Sequence, residues 1–157
     1  MMNAVIEGRT SGLNSKCKVP ERALVRILLV DGSEPFRLLL SSILKEQPGF
    51  QIVGEASDGA EAIQRAMEVK PDLVVLDIDL PGLSGIEVTR QIRCCSPDSR
   101  MLFLTLNNDA ELAREALRAG ARGYTLKFDA VPELVVAAKT VLSGKRFIGR
   151  AFRDLDR

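Results

Sequence analysis

Leu73-Val74-Val75-Leu76 presents no polar face, and a run this short and this apolar folds as a strand covered on both sides. Lys70-Pro71-Asp72 precedes it, Asp77 ends it, and Asp79 and the turn Pro81-Gly82 follow at once. Such a strand needs partners in a sheet and a layer above and below. A carboxylate at its C-terminal end then lies on the rim of that sheet, where ligands can reach it.

The flanking segments supply those partners. Val25 to Val30 is a similar run, closed by Asp31-Gly32-Ser33. From Glu34 onward Phe36, Leu39, Leu40, Ile43 and Leu44 recur at helical spacing, until Gln47-Pro48-Gly49 stops them. Gln51 to Ala56 reads as a strand, and Ser57-Asp58-Gly59 turns into a helix carrying Ala62, Ile63, Ala66 and Met67. Ser84 caps a helix bearing Ile86, Val88 and Ile92. Met101 to Thr105 is a strand that ends in a hydroxyl; Asn108 or Asp109 caps the next helix, with Leu112, Ala113, Ala116 and Leu117 inward and Gly120 as its stop. Gly123 to Leu126 runs into Lys127, and Asp129 caps a last helix that ends at Gly144.

Strand and helix thus alternate five times. The expected fold is α/β, a doubly wound five-stranded parallel sheet flanked by helices on both faces, βα repeated five times. Residues 1–22 show no sustained period and read as a flexible tail, 23–146 as the folded domain, and 147–157 as a short C-terminal tail with no output domain.

Composition narrows the function. A net charge of +1 gives no electrostatic case for nucleic acid or an anionic membrane as main partner. No stretch approaches the ~20 apolar residues of a membrane span, so a cytoplasmic protein is expected. The sequence has no histidine, which removes Ser-His and Cys-His nucleophile pairs. Cys17, Cys94 and Cys95 are odd in number and poorly spaced for a disulfide framework; they read as reduced thiols.

In an open parallel sheet, ligands bind beyond the carboxyl ends of the strands. The residues expected there are Asp31, Asp77, Thr105 and Lys127. Two carboxylates, a hydroxyl and an ammonium suit phosphoryl transfer. Asp77 can act as nucleophile, Asp31 and Asp77 with a backbone carbonyl can hold Mg2+, and Thr105 and Lys127 can bond phosphoryl oxygens.

Read in order, V-D…L-D-I-D-L-P-G…L-T…G-Y-T-L-K resembles the receiver domain of bacterial two-component response regulators, a CheY-like superfamily, over roughly Val25 to Gly144. The run Gly120 to Lys127 and the segment Ser143 to Ile148 resemble most the NarL-like class. The resemblance implies the flavodoxin-like strand order, with Asp77 as phosphoacceptor. It makes Asp31 one member of an acidic pair and gives the Asp79 backbone carbonyl to the metal. Thr105 becomes the switch hydroxyl, Tyr124 the rotameric aromatic and Lys127 the essential lysine. It also implies Mg2+-dependent transfer from a sensor histidine kinase or phosphotransfer protein, and a shift of the face around the fourth helix and fifth strand that alters binding of a downstream protein partner. Turnover of a separate substrate and direct DNA binding are not expected, and the oligomeric state, homodimer included, stays open.

Two residues depart from the pattern. Gly32 stands where the acidic pair normally supplies a direct metal carboxylate, so Mg2+ binding is expected to be weak unless Glu34 or a water substitutes. Phe128 puts an aromatic directly after Lys127. The leading expectation is a stand-alone receiver phosphorylated on Asp77. The first alternative is a pseudo-receiver that acts without phosphorylation. A third reading compares Asp77-Ile78-Asp79 with the DxD of haloacid-dehalogenase-like phosphatases, against which stand Pro81 and the position of this strand as third rather than first.

Overall fold

The apolar runs become strands because each is bounded by residues that cannot continue it, and because each finds helices for both of its faces. In the computed structural model, which describes residues 24–156, the elements run β1 (Val25–Val30), α1 (Glu34–Lys45), β2 (Phe50–Ala56), α2 (Gly59–Val69), β3 (Leu73–Asp77), α3 (Gly85–Cys95), β4 (Arg100–Thr105), α4 (Ala110–Ala119), β5 (Gly123–Leu126), α5 (Ala130–Leu142) and β6 (Phe147–Ile148). The tail expected over 1–22 lies outside the described residues, as does Cys17.

All pairings are parallel, in the order β2-β1-β3-β4-β5-β6. The sheet therefore has six strands rather than the five expected. The addition comes from the segment read as a C-terminal tail: Phe147 and Ile148 pair with Gly123 and Tyr124 along the edge of β5.

Alternation along the strands sorts the core into two layers. Ile27, Leu29, Leu73, Val75, Leu102 and Leu104 face α1 and α5, meeting Leu40, Leu44, Leu134 and Val141. Leu28, Val30, Val74, Leu76, Met101, Phe103 and Tyr124 face α2, α3 and α4; the buried residues of α2 and α4 in this layer are alanines, among them Ala62, Ala66, Ala113 and Ala116, while α3 brings Ile86, Val88 and Ile92. All five residues of β3 are buried. Two members of the expected stripes do not go inward: Leu39 is 41% and Met67 53% exposed, each one step past the buried side of its helix.

Two of the three expected caps form: Ser84 accepts a backbone N–H group at the start of α3, and Asp109 rather than Asn108 does so for α4. Ser33 and Asp58, read from sequence only as turn residues, do the same for α1 and α2. Asp129 occupies the N-cap position of α5 but makes no capping bond; its carboxylate is taken by Arg150.

Candidate functional site

Parallel register sets the site. Val30 pairs with Leu76, so Asp31 and Asp77, the next residue of each chain, emerge side by side from adjacent central strands. Asp77 pairs with Leu104 and Thr105 with Leu126, which brings the ends of β4 and β5 to the same rim. The four strand-end residues expected to converge are all there.

Lys127 joins them. Its Nζ lies 2.6 Å from Asp31 Oδ2 and 3.0 Å from Asp77 Oδ2, with all three side chains largely buried. The other carboxylate oxygens are held by backbone. Ser33 N–H donates to Asp31 Oδ1 at 2.8 Å, and Asp79 N–H donates to Asp77 Oδ1 at 3.0 Å. Burial pushes the Asp77 carboxyl above its ordinary value; the Asp79 amide and the Lys127 ammonium pull it back, and the Asp31 charge adds a smaller upward push. The result is a desolvated carboxylate fixed at both oxygens, one of them by a cation.

Thr105 is fully buried and its Oγ1 accepts the Asn107 N–H at 3.0 Å, so it shapes the turn after β4 and makes no hydrogen bond to Asp77. Tyr124 lies on the same face of the sheet as Thr105. Its ring is fully buried, and its hydroxyl adjoins Thr105 without completing a hydrogen bond there or elsewhere. Burial above all pushes its pKa up to about 12; the adjoining Thr105 hydroxyl lowers it, and the charges of Asp79, Asp109 and Asp77 each add a lesser upward push.

Gly32 is exposed beside Asp31 and brings no third carboxylate. Glu34, the substitute considered from sequence, sits exposed at the start of α1 and makes no hydrogen bond or ion pair among the described residues. Asp31 and Asp77 are the carboxylates at the rim that could hold a divalent cation, beside the Asp79 carbonyl that the resemblance assigns to it. Mg2+ commonly takes one or two carboxylates and keeps several waters, so this set fits it, with less anionic charge than a three-carboxylate site. No cluster of three or more metal-binding side chains occurs among the described residues.

Three contributors escaped the sequence reading. Phe36 places its ring 4.6 Å from Lys127 Nζ, whereas Phe128, singled out for adjacency, is 78% exposed and nothing in the structure explains it. Arg37 donates to the Asp31 carbonyl at 2.6 Å and pairs with Glu55, bracing the turn after β1. Phe152 packs edge-on against Tyr124 at 4.9 Å. The apolar spacing of Phe147, Ile148, Phe152 and Leu155 was the available signal for the last.

The chain matches, over residues 27–139, a family model described as the response regulator receiver domain. It is 43% identical over 119 residues to a protein of Pseudomonas aeruginosa named "Putative transcriptional regulator", covering 76% of this chain and 57% of that one. It is 36% identical over 125 residues to the response regulator UvrY of Escherichia coli, covering 80% and 57% of the respective chains. The chain thus spans a little over half the length of the curated relatives it matches. Among solved structures it resembles a two-component response regulator of the LuxR family from Aurantimonas sp. SI85-9A1, with a TM-score of 0.80 and 37% identity over 83% of this chain and 94% of the other.

Proposed function

The chain belongs to the response regulator receiver family of two-component systems, and from that premise we propose that it accepts a phosphoryl group on Asp77 from a histidine kinase or phosphotransfer protein. The observation that carries the proposal is Asp77 at the buried end of β3 with Lys127 3.0 Å from one of its oxygens and Asp31 beside it.

A carboxylate oxygen of Asp77 attacks phosphorus. A P–O bond forms, the P–N bond to the donor imidazole breaks, and its electron pair returns to that nitrogen; the ring leaves as neutral imidazole because its other nitrogen carries a proton before transfer. Asp31, Asp77 and the Asp79 carbonyl would hold Mg2+, which when bound neutralises charge on the transferring group. Lys127 moves from bridging two carboxylates to bonding a phosphoryl oxygen, and the free O–H of Thr105 provides a second donor.

The test is intact-mass analysis after incubation with acetyl phosphate and Mg2+. One phosphoryl group is expected on the wild type and none on Asp77→Asn; equal labelling of both would overturn the assignment.

One observation favours a second reading, in which the domain binds its partner without phosphorylation. With Gly32 in place of a carboxylate, the Lys127 ammonium bridges Asp31 and Asp77 and offsets one of their two charges, which leaves little negative charge to draw in a divalent cation. Titration with beryllofluoride, a mimic of aspartyl phosphate, separates the two: saturable binding supports the phosphoacceptor, and its absence supports the second reading.

A further inference from the structure

The segment after α5 is not loosely attached. Phe147 N–H donates to the Arg122 carbonyl at 2.9 Å and Gly149 N–H to the Tyr124 carbonyl at 2.7 Å, which lays the segment along β5. At Gly149 the backbone lies so close that a Cβ would fall 2.5 Å from Thr125 Oγ1 and 3.0 Å from Glu133 Oε1. Only glycine permits that approach.

Two ties then lead from this segment toward the rim of the sheet. Arg150 donates through Nε and Nη2 to Asp129 Oδ1 at 3.1 and 2.7 Å, and Asp129 shares a single 3-10 turn with Lys127. Phe152, only 3% exposed, sets its ring edge-on at 83° against Tyr124 and closes the pocket in which that ring sits. The closed pocket holds a defect: the Tyr124 hydroxyl is buried without a hydrogen-bond partner. Buried polar groups left unpaired oppose whatever packing buries them, so Tyr124 works against the docking of Phe152.

Thr105 is the neighbour able to change this. Its oxygen already accepts from Asn107 and its own proton has no acceptor among the described residues. We infer that residues 147–156 form a strap whose grip on β5 and Tyr124 tightens when Asp77 carries a phosphoryl group. The inference rests on the phosphoacceptor reading above. A phosphoryl oxygen takes the Thr105 proton and fixes the orientation of that hydroxyl. Its remaining lone pair then points to the Tyr124 O–H, the orphan donor is satisfied, and the opposition to Phe152 ends. The strap is thereby the part of this chain that reads the chemical state of Asp77.

Hydrogen exchange of the backbone amides in 147–155 on the full chain tests this, with fluorine NMR reporting beryllofluoride bound in the same sample with Mg2+. Wild type, Tyr124→Phe and Phe152→Ala are compared. With beryllofluoride bound, strap amides of the wild type are expected to exchange about tenfold more slowly. Tyr124→Phe removes the orphan hydroxyl and is expected to be slow already without the mimic and to change little with it. Phe152→Ala is expected to exchange quickly in both states. Bound beryllofluoride with unchanged strap exchange overturns the strap inference and leaves Asp77 as phosphoacceptor. Absence of bound beryllofluoride overturns the phosphoacceptor reading, and Tyr124→Phe then decides the strap: slower exchange than wild type supports its control by the Tyr124 hydroxyl, and equal exchange refutes it.

Discussion

At Gly32 a side chain has room. A Cβ there would meet Pro81 Cδ at 3.5 Å and the Ser57 carbonyl at 3.6 Å, both ordinary contacts. Gly32→Asp is therefore expected to fold, to bring a third carboxylate to the rim, and to raise Mg2+ affinity by about tenfold or more. Tyr124 is the only tyrosine and the sequence has no tryptophan, so its fluorescence gives a clean titration signal; equal Mg2+ curves for the two proteins would refute the expectation. Asp77 carries a separate prediction. Its carboxyl is raised above the usual value chiefly by burial, so the folded state favours the protonated form. Stability from that shift is fully present below the unfolded pKa and is lost as pH rises through the folded value; at neutral pH the ionised Asp77 is a burden. Asp77→Asn removes the ionisation while Lys127 keeps Asp31 at 2.6 Å. Thermal melts at neutral pH are expected to show Asp77→Asn as the more stable protein, with the gap shrinking on acidification. A gap that widens in acid would contradict the sign.

Elements place these residues through close approaches that one glycine and one aromatic control. Gly85 opens α3 directly beneath β3: a Cβ there would fall 2.7 Å from the Asp77 carbonyl, 2.7 Å from Ile78 Cα and 2.8 Å from Phe103 Cε1. Gly85→Ala must push α3 off the strand that carries the nucleophile. A loss of about 1–3 kcal/mol is expected in urea unfolding, together with slower labelling by acetyl phosphate. At the other end, Phe152→Ala opens the Tyr124 pocket and is expected to cost up to about 3 kcal/mol. It should also bring the Tyr124 pKa from about 12 back toward 10, read by alkaline absorbance titration. Because that pKa is raised in the fold, wild-type stability falls as pH climbs from 10 to 12, and Phe152→Ala should show less of that loss. The sequence made the first half of this legible and not the second. β1 to β5 announce themselves as apolar runs between turn residues, and Ser84-Gly85 announces a helix start. β6 is two residues long, and its pairing depends on Gly149 fitting against Thr125 and Glu133, a match between distant segments that has no local signature. Phe36 beneath Lys127 and Arg37 on the Asp31 carbonyl are hidden for the same reason: both lie on an ordinary helix face until distant segments reach it, the residue after β5 for Phe36 and Glu55 of β2 for Arg37.

Across the whole molecule the two edges of the sheet do different work. The carboxyl edge gathers Asp31, Asp77 and Lys127, a buried charge cluster that adds chemistry at the expense of stability. The amino edge receives the C-terminal ends of the helices, where carbonyls lack intrahelical partners and the dipole is negative. Arginines answer that need in sequence. Arg26 donates to the Val69 carbonyl at 2.6 Å, Arg93 to Ala119 at 3.1 Å, Arg100 to Val141 and Leu142 at 2.9 and 2.7 Å, and Arg122 to Gly144 at 2.5 Å. Each bond ties the start of a strand, or the end of a helix, to the last turn of another helix or, for Arg122, to Gly144 just past α5. This explains how a chain with a net charge of only +1 uses many of its cations far from any acidic ligand. It also separates two phenotypes. Arg100→Met keeps the aliphatic stem but leaves the Leu142 carbonyl at the end of α5 without its donor, the Val141 carbonyl still accepting the Gly144 N–H at 3.0 Å, and is expected to lose about 1 kcal/mol in urea unfolding. Since the change lies at the opposite edge from Asp77, the rate of labelling by acetyl phosphate at a temperature where both proteins are folded should match the wild type. A variant that keeps its stability would refute the capping role, and one that loses labelling while folded would show that the two edges are coupled through the strands rather than independent.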